Sequence, residues 1–394
     1  MHLKKFFLVY FLIFYLSGCV YKKNFFVPEN NEEKLFYSII WKNKIGYGNN
    51  GHYTKLSPFY YKGVAYSSDR SGIFEGIEIQ TGNKIFSIHF LKKINKLINR
   101  SFNSLLVSRI FIRDDTLYLS TEIGMLISFN LLLDKINWIV ELYGEILSDI
   151  VFSENFIFVH TNNDILYSLD LNYGNILWYQ NLNEGNEVFS LRGNSSIAIK
   201  DNILFIGNRY GNIFSIEKKT GKIIWKKYIV SSENRQEIGW NNIVTTPLID
   251  FNRELVFCIS HSGNLFAIEI KSSRVVWETK TNSIHDMLMY KDSLFLVENN
   301  NVITSINLIN GSFLWKTNFF HDRIISSMQL KDGCIVFGDN KGYIHEIDLN
   351  FGKIISSNLL DCSGFLGDLK VIEEKILIQS GNGNLYFLKK KSKL

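Results

Sequence analysis

The sequence predicts an all-β chain, an eight-bladed β-propeller of four-stranded antiparallel blades whose ring is closed by an N-terminal strand. Three observations carry this. A unit seen most clearly as Gly211-Asn212-Ile213-Phe214-Ser215-Ile216, followed by Thr220-Gly221-Lys222-Ile223-Ile224-Trp225, recurs along the chain. Its copies begin at Gly72, Gly124, Asp164, Gly211, Gly263, Asn301, Gly342 and Gly383, spaced by 52, 40, 47, 52, 38, 41 and 41 residues. That is the length of a propeller blade, at roughly 40–50 residues. Finally, the last copy runs out at Leu394 before its fourth strand, and the start of the chain holds the missing piece.

In chain order, the first element is a targeting segment. Lys4 and Lys5 precede an apolar run from Phe6 to Leu16, too short to span a bilayer as a mature helix. Leu16-Ser17-Gly18-Cys19 follows, and the whole reads as a signal peptide over residues 1–18. The tetrapeptide resembles a lipobox. The resemblance implies cleavage before Cys19 and acylation of its sulfur by chains such as palmitate, and two or more chains give stable membrane attachment. Val20, which is not acidic, resembles the outer-membrane sorting pattern of Gram-negative lipoproteins. Residues 19–34 are then a lipidated tether and 35–394 the propeller.

Within each unit a strand precedes the start, for example Leu204–Gly207 or Ile335–Gly338, rich in β-branched and aromatic residues as strands are. Ten residues after the start stands a turn glycine, at Gly82, Gly174, Gly221, Gly311 and Gly352, with Asp134 and Ser273 in two copies. Glycine enters the left-handed region freely, as a tight hairpin requires. Fourteen residues after the start stands Trp138, Trp178, Trp225, Trp277 or Trp315, replaced by Phe86 in the first copy and Ser356 in the seventh. The tryptophan reads as a packing anchor between neighbouring blades. Ser38-Ile39-Ile40-Trp41-Lys42 echoes Lys222-Ile223-Ile224-Trp225-Lys226, so the N-terminal strand is expected to complete the last blade. Closure removes the strand edges that invite aggregation. No segment of the mature chain is expected to be helical, and Lys92, Lys93, Lys96 and Arg100 read as a solvated loop.

Composition narrows the function classes. Net charge is +5, from 43 basic and 38 acidic side chains, with no long basic face, and the Lys389–Lys393 tail reads as a solvated end rather than a nucleic-acid site. The histidines form no close pair at metal-ligand spacing with another His or Cys, and no phosphate loop or nucleophile elbow stands out. Neither cofactor nor metal is expected, and nothing argues for catalysis. After Cys19 three cysteines remain, Cys258, Cys334 and Cys362, and they read as buried free thiols.

Several local motifs stand in order along the chain: Lys55-Leu56-Ser57-Pro58, Ser190-Leu191-Arg192-Gly193, Thr245-Thr246-Pro247, Gly338-Asp339-Asn340-Lys341-Gly342 and Ser363-Gly364-Phe365. With the blade unit and the lipobox, they resemble the BamB family of outer-membrane protein assembly lipoproteins, relatives of the pyrroloquinoline-quinone dehydrogenases. The likeness runs from Lys34 to Lys389. It implies a non-catalytic scaffold at the periplasmic face of the outer membrane. Such a scaffold binds the POTRA domains of BamA within the barrel-assembly (BAM) complex and assists the insertion of β-barrel proteins. Carried over residue by residue, it places partner contacts at Phe189, Leu191 and Arg192. It also places them at Asn242 and Val244, where the family's two acidic residues are replaced, which puts the electrostatic part of that contact in doubt. Two other readings stay open. A quinone-dependent dehydrogenase would carry adjacent cysteines and acidic calcium ligands, and no two cysteines here are adjacent. A propeller lipoprotein with another periplasmic partner is separable only by binding.

Overall fold

The structure, a computed structural model, describes residues 36–49, 52, 56–98, 101–103, 105–185, 193–229 and 241–391. Cys19, Phe189, Leu191 and Arg192 lie outside the described residues. The rest forms eight four-stranded antiparallel sheets. The fourth is representative: Ala198–Lys200, Ile203–Gly207, Asn212–Glu217 and Ile223–Tyr228, each pairing with the next. The second and third strands are buried along nearly their whole length, while the fourth alternates between exposed and half-buried residues. That contrast is what a sheet wedged between neighbours on both faces, with its outer edge in water, must show.

Antiparallel order sorts the connections onto two faces. The hairpins between first and second and between third and fourth strands lie on one face of the ring, here called the tip face. The hairpins between second and third strands lie on the other, with the crossings to the next blade. The second-to-third hairpins need left-handed backbone, and Gly72, Gly124, Asp164, Gly211, Asn301, Gly342 and Gly383 all take positive φ. So do Gly82, Asp134, Gly174, Gly221, Ser273, Gly311 and Gly352 in the third-to-fourth hairpins.

The tryptophans join blade to blade. Trp178 Nε1 donates to the Lys218 carbonyl at 3.2 Å, Trp225 to Ile270 at 2.8 Å and Trp277 to Leu308 at 3.1 Å, each acceptor lying in the following blade. The ring also covers the next blade's turn glycine: a Cβ on Gly221 would fall 2.6 Å from Trp178. Room for the indole within its own sheet comes from a small residue opposite it. Ser128, Ser168, Ser215, Ala267 and Ser305 pair with Trp138, Trp178, Trp225, Trp277 and Trp315, with a register shift at the next residue.

The eighth sheet joins the chain ends, with Tyr37–Lys44 pairing against Asn384–Lys390 in the register Tyr37↔Lys390. Trp41 on this strand donates to the Ile79 carbonyl of the first blade at 2.8 Å. The junction between third and fourth strands is therefore two chain ends rather than a hairpin. There is no turn glycine for the seventh blade to cover, and the seventh blade carries Ser356 in place of tryptophan. Its pairing partner is Glu346 instead of a small residue. The Glu346 carboxylate accepts the Tyr37 hydroxyl and pairs with Lys390 Nζ at 2.8 Å, stitching the ends to the seventh blade.

Two expectations are corrected. Phe90–Ile98 is a helix, α1, not a loop. Its apolar residues at 90, 91, 94, 97 and 98 follow helical spacing, and Phe90 and Ile94 are buried. It compensates for Phe86 at the tryptophan position of the first blade. Phe90 packs edge-on to Phe129 of the second blade at 5.0 Å, and Lys93 pairs with the turn residue Asp134 at 2.6 Å. Cys258 and Cys334 are buried free thiols, but Cys362 is exposed, because it sits in a surface crossing between blades.

Candidate functional site

The described part of the motif-bearing surface lies opposite the tip face, over the third to fifth blades. A pocket of about 230 Å³ opens there, lined among others by Asn162, Asn163, Asp164, Gly193, Asn194, Arg209, Asn242 and Val244. Gly193 closes the Ser-Leu-Arg-Gly motif, and a Cβ built on it would stand 3.9 Å from Val244. Two segments about fifty residues apart in sequence therefore meet at one place.

The pocket floor is a cross-blade network. Asp164 takes positive φ where most other copies have glycine, and its carboxylate reaches across to the fourth blade, accepting Arg209 Nε at 2.8 Å. His160 Nδ1 lies 2.9 Å from the Ser195 carbonyl, and Asn194 Nδ2 donates to the His160 carbonyl at 2.6 Å. Ser195 Oγ donates to the Thr245 carbonyl at 2.9 Å, tying the crossing after the third blade to the segment carrying Asn242 and Val244. Of these two, Asn242 is buried, with 1% of its surface exposed, and neither its Oδ1 nor its Nδ2 finds a partner. Val244 is half-buried. Among the described residues the wall is thus lined largely by neutral amides, and the Asp164 carboxylate is held by an arginine.

A second cluster has the outline of a hydrolytic triad. Ser357 Oγ lies 2.7 Å from His345 Nδ1, and His345 Nε2 lies 3.1 Å from Asp339 Oδ2. Its chemistry is that of a structural cap. Asp339 Oδ1 accepts the backbone N–H of Lys341 and Tyr343, and Oδ2 also takes Arg323. Burial opposes ionisation of this carboxyl, but the bonds from His345, Tyr343 and Arg323 prevail and hold it below the usual carboxylate range. His345 is wedged between Phe320 and Phe337, and burial lowers its pKa despite Asp339. A general base needs a carboxylate free to stabilise its protonated form, and here Arg323 already occupies it. Among the described residues no group of three His, Cys, Asp or Glu side chains is placed to hold a metal ion.

Eight four-stranded sheets with tryptophan-docked blades, closed by the chain's own N-terminal strand, define an eight-bladed β-propeller. Its architecture matches the crystal structure of BamB from Moraxella catarrhalis at a TM-score of 0.74, covering 90% of this chain and 99% of that one at 19% identity. It also matches a europium-containing methanol dehydrogenase at a TM-score of 0.71 and 10% identity, covering 90% and 93%. Fold alone therefore does not separate scaffold from enzyme. Sequence gives the family: the model described as outer membrane protein assembly factor BamB matches residues 99–317. The assembly factor of that name from Yersinia pestis is 26% identical over 356 residues, 90% of this chain and 89% of its own length. The chain belongs to the BamB family.

Proposed function

We propose that this chain is a non-catalytic scaffold of the outer-membrane β-barrel assembly complex. In this reading residues 1–18 are a signal peptide, Cys19 carries the lipid, 19–34 form the tether and 35–394 the periplasmic propeller. The partner is the POTRA region of BamA, gripped by Phe189, Leu191 and Arg192 beside the pocket at Asn242 and Val244. Family membership supports the role. The observation that carries the site is the meeting of Gly193 with Asn242 and Val244 around one pocket. An aliphatic, an aromatic and an arginine are the residue types that anchor interfaces. With neutral Asn242 and Val244, the contact depends on shape and on Arg192 rather than on a paired acid.

The test is a pull-down of the mature chain against the periplasmic domains of the same organism's BamA, with Leu191→Ala/Arg192→Glu alongside. Wild type is expected to bind. The double variant should lose on the order of 2–4 kcal/mol, tens- to several-hundred-fold, with its thermal unfolding unchanged. Equal binding by both folded proteins would remove the patch, and no binding by either would leave the partner unassigned.

A further inference from the structure

The tip face carries a feature that partner binding on the opposite face does not use. Four of its third-to-fourth hairpins, in the second, third, sixth and seventh blades, end in large apolar side chains that touch little of the protein. Leu132, Leu133, Tyr173 and Phe351 are 70–78% exposed, and Ile309 is 57% exposed. These are turn positions, where a polar residue would serve the backbone equally well. Large apolar groups projecting into water mark contact surfaces.

On the same face Asp115 pairs with Lys62 at 3.1 Å and Glu154 with Lys218 at 2.9 Å. The outer tips hold exposed cations, Lys219 and Lys222 on the fourth blade and Lys353 beside Phe351. The described C-terminal end, Lys389–Lys391, lies there too, since Tyr37↔Lys390 is the tip-face end of the closing pair. That register also fixes where the chain enters the ring. Lys391 N donates to the Phe36 carbonyl at 2.9 Å, so Phe36 emerges on the tip face.

We infer that the tip face rests on the bilayer that holds the lipid anchor, its apolar and aromatic hairpin tips dipping among the headgroups and its lysines facing anionic phospholipids. The inference rests on the reading of Cys19 as the lipidated residue. From Cys19 to Phe36 the chain spans at most about 60 Å fully extended, and it joins the ring on this face. Apolar tips partition into the interface, and each lysine near an anionic surface adds to the attraction. The opposite face, with its pocket, is left free for a protein partner.

The experiment uses the mature chain on vesicles of phosphatidylethanolamine and phosphatidylglycerol containing spin-labelled lipid, in a Cys362→Ser background. Single cysteines at Leu133, Phe351 or, on the opposite face, Asn382 carry an environment-sensitive fluorophore. Probes at 133 and 351 are expected to be quenched and the probe at 382 not. Tyr173→Asp/Phe351→Asp should weaken quenching at 133 about tenfold, with the mass of the acylated N-terminal peptide unchanged. Uniform response at all three sites, or quenching at 382 alone, would overturn the proposal. So would a response of 133 and 351 to the BamA periplasmic domains but not to vesicles. An unacylated N-terminal peptide would instead sink the anchor reading. An unacylated chain that still floats with 133 and 351 quenched supports the face, and one that does not float overturns it.

Discussion

At the scale of single residues the ring is held by a size match repeated around it. A serine or alanine stands opposite the tryptophan within its sheet, and a left-handed residue, usually glycine, stands beneath the indole in the next one. Each blade tryptophan adds apolar area and a hydrogen bond from its indole to a carbonyl of the next blade. Trp225→Phe keeps the packing and loses the bond to the Ile270 carbonyl, so it should cost about 1 kcal/mol. Gly352→Ala should cost more, roughly 2 kcal/mol or above, because φ is 65° there and the new methyl meets Trp315. Urea midpoints of the two variants, with unchanged denaturant slopes, check both values. The sequence displays the tryptophans and glycines as a period. It does not display which blade each indole reaches, since that partner is set by the ring and not by the chain order within a unit.

At the scale of elements, the two places where the tryptophan is missing are those where the regular joint is replaced. Helix α1 fills one, and the joined chain ends fill the other. The crossing after the seventh blade reinforces the second. Asp361 accepts Asn384 Nδ2 at 2.8 Å and the Tyr386 hydroxyl at 2.9 Å, both from the strand that pairs with Tyr37–Lys44. Burial opposes ionisation of Asp361, but bonds from Asn384, Ser380 and Ser363 outweigh it and hold its carboxyl well below the usual carboxylate range. A depressed folded-state pKa gives stability that is present above the ordinary value, about 4, and is lost as pH falls below it. Thermal unfolding followed from pH 5 downward should therefore show a steep loss. Asp361→Asn should be less stable at neutral pH and show a shallower acid slope, and an unchanged slope would remove Asp361 from ring closure. The nine-residue α1 carried its helical period in the sequence, but it was obscured by the dominant strand repeat on either side.

At the scale of the whole molecule, closure is the feature on which the other joints depend. Eight sheets in a ring each pack against their neighbours, and the last of them is completed only because strands from the two ends of the chain pair. A chain beginning at Gly46 lacks Trp41 and the outer strand of the eighth blade, exposing Asn384–Lys390 as an open edge. It should melt well below the chain beginning at Leu35 and elute as aggregate from size exclusion, whereas the Leu35 chain should behave as the full mature protein does. Equal melting of the two would mean that the ring holds without its closing strand.

The repeat by itself determined the number of blades, the strands, the turn positions, the closing strand and, through its motifs, the family. The blades, strands, turns and closing strand follow from local periodicity and turn chemistry, which are written residue by residue, and the family from the resemblance of the motifs. Only the tertiary structure decided which residues meet across blades. It brought Gly193 to Val244, sank the Asn242 amide beneath the surface and committed Asp339 to Arg323. It also gathered Leu133, Tyr173 and Phe351 on the face where the chain enters. Neighbours in a closed ring are set by how blades pack, and the distance along the chain does not encode that.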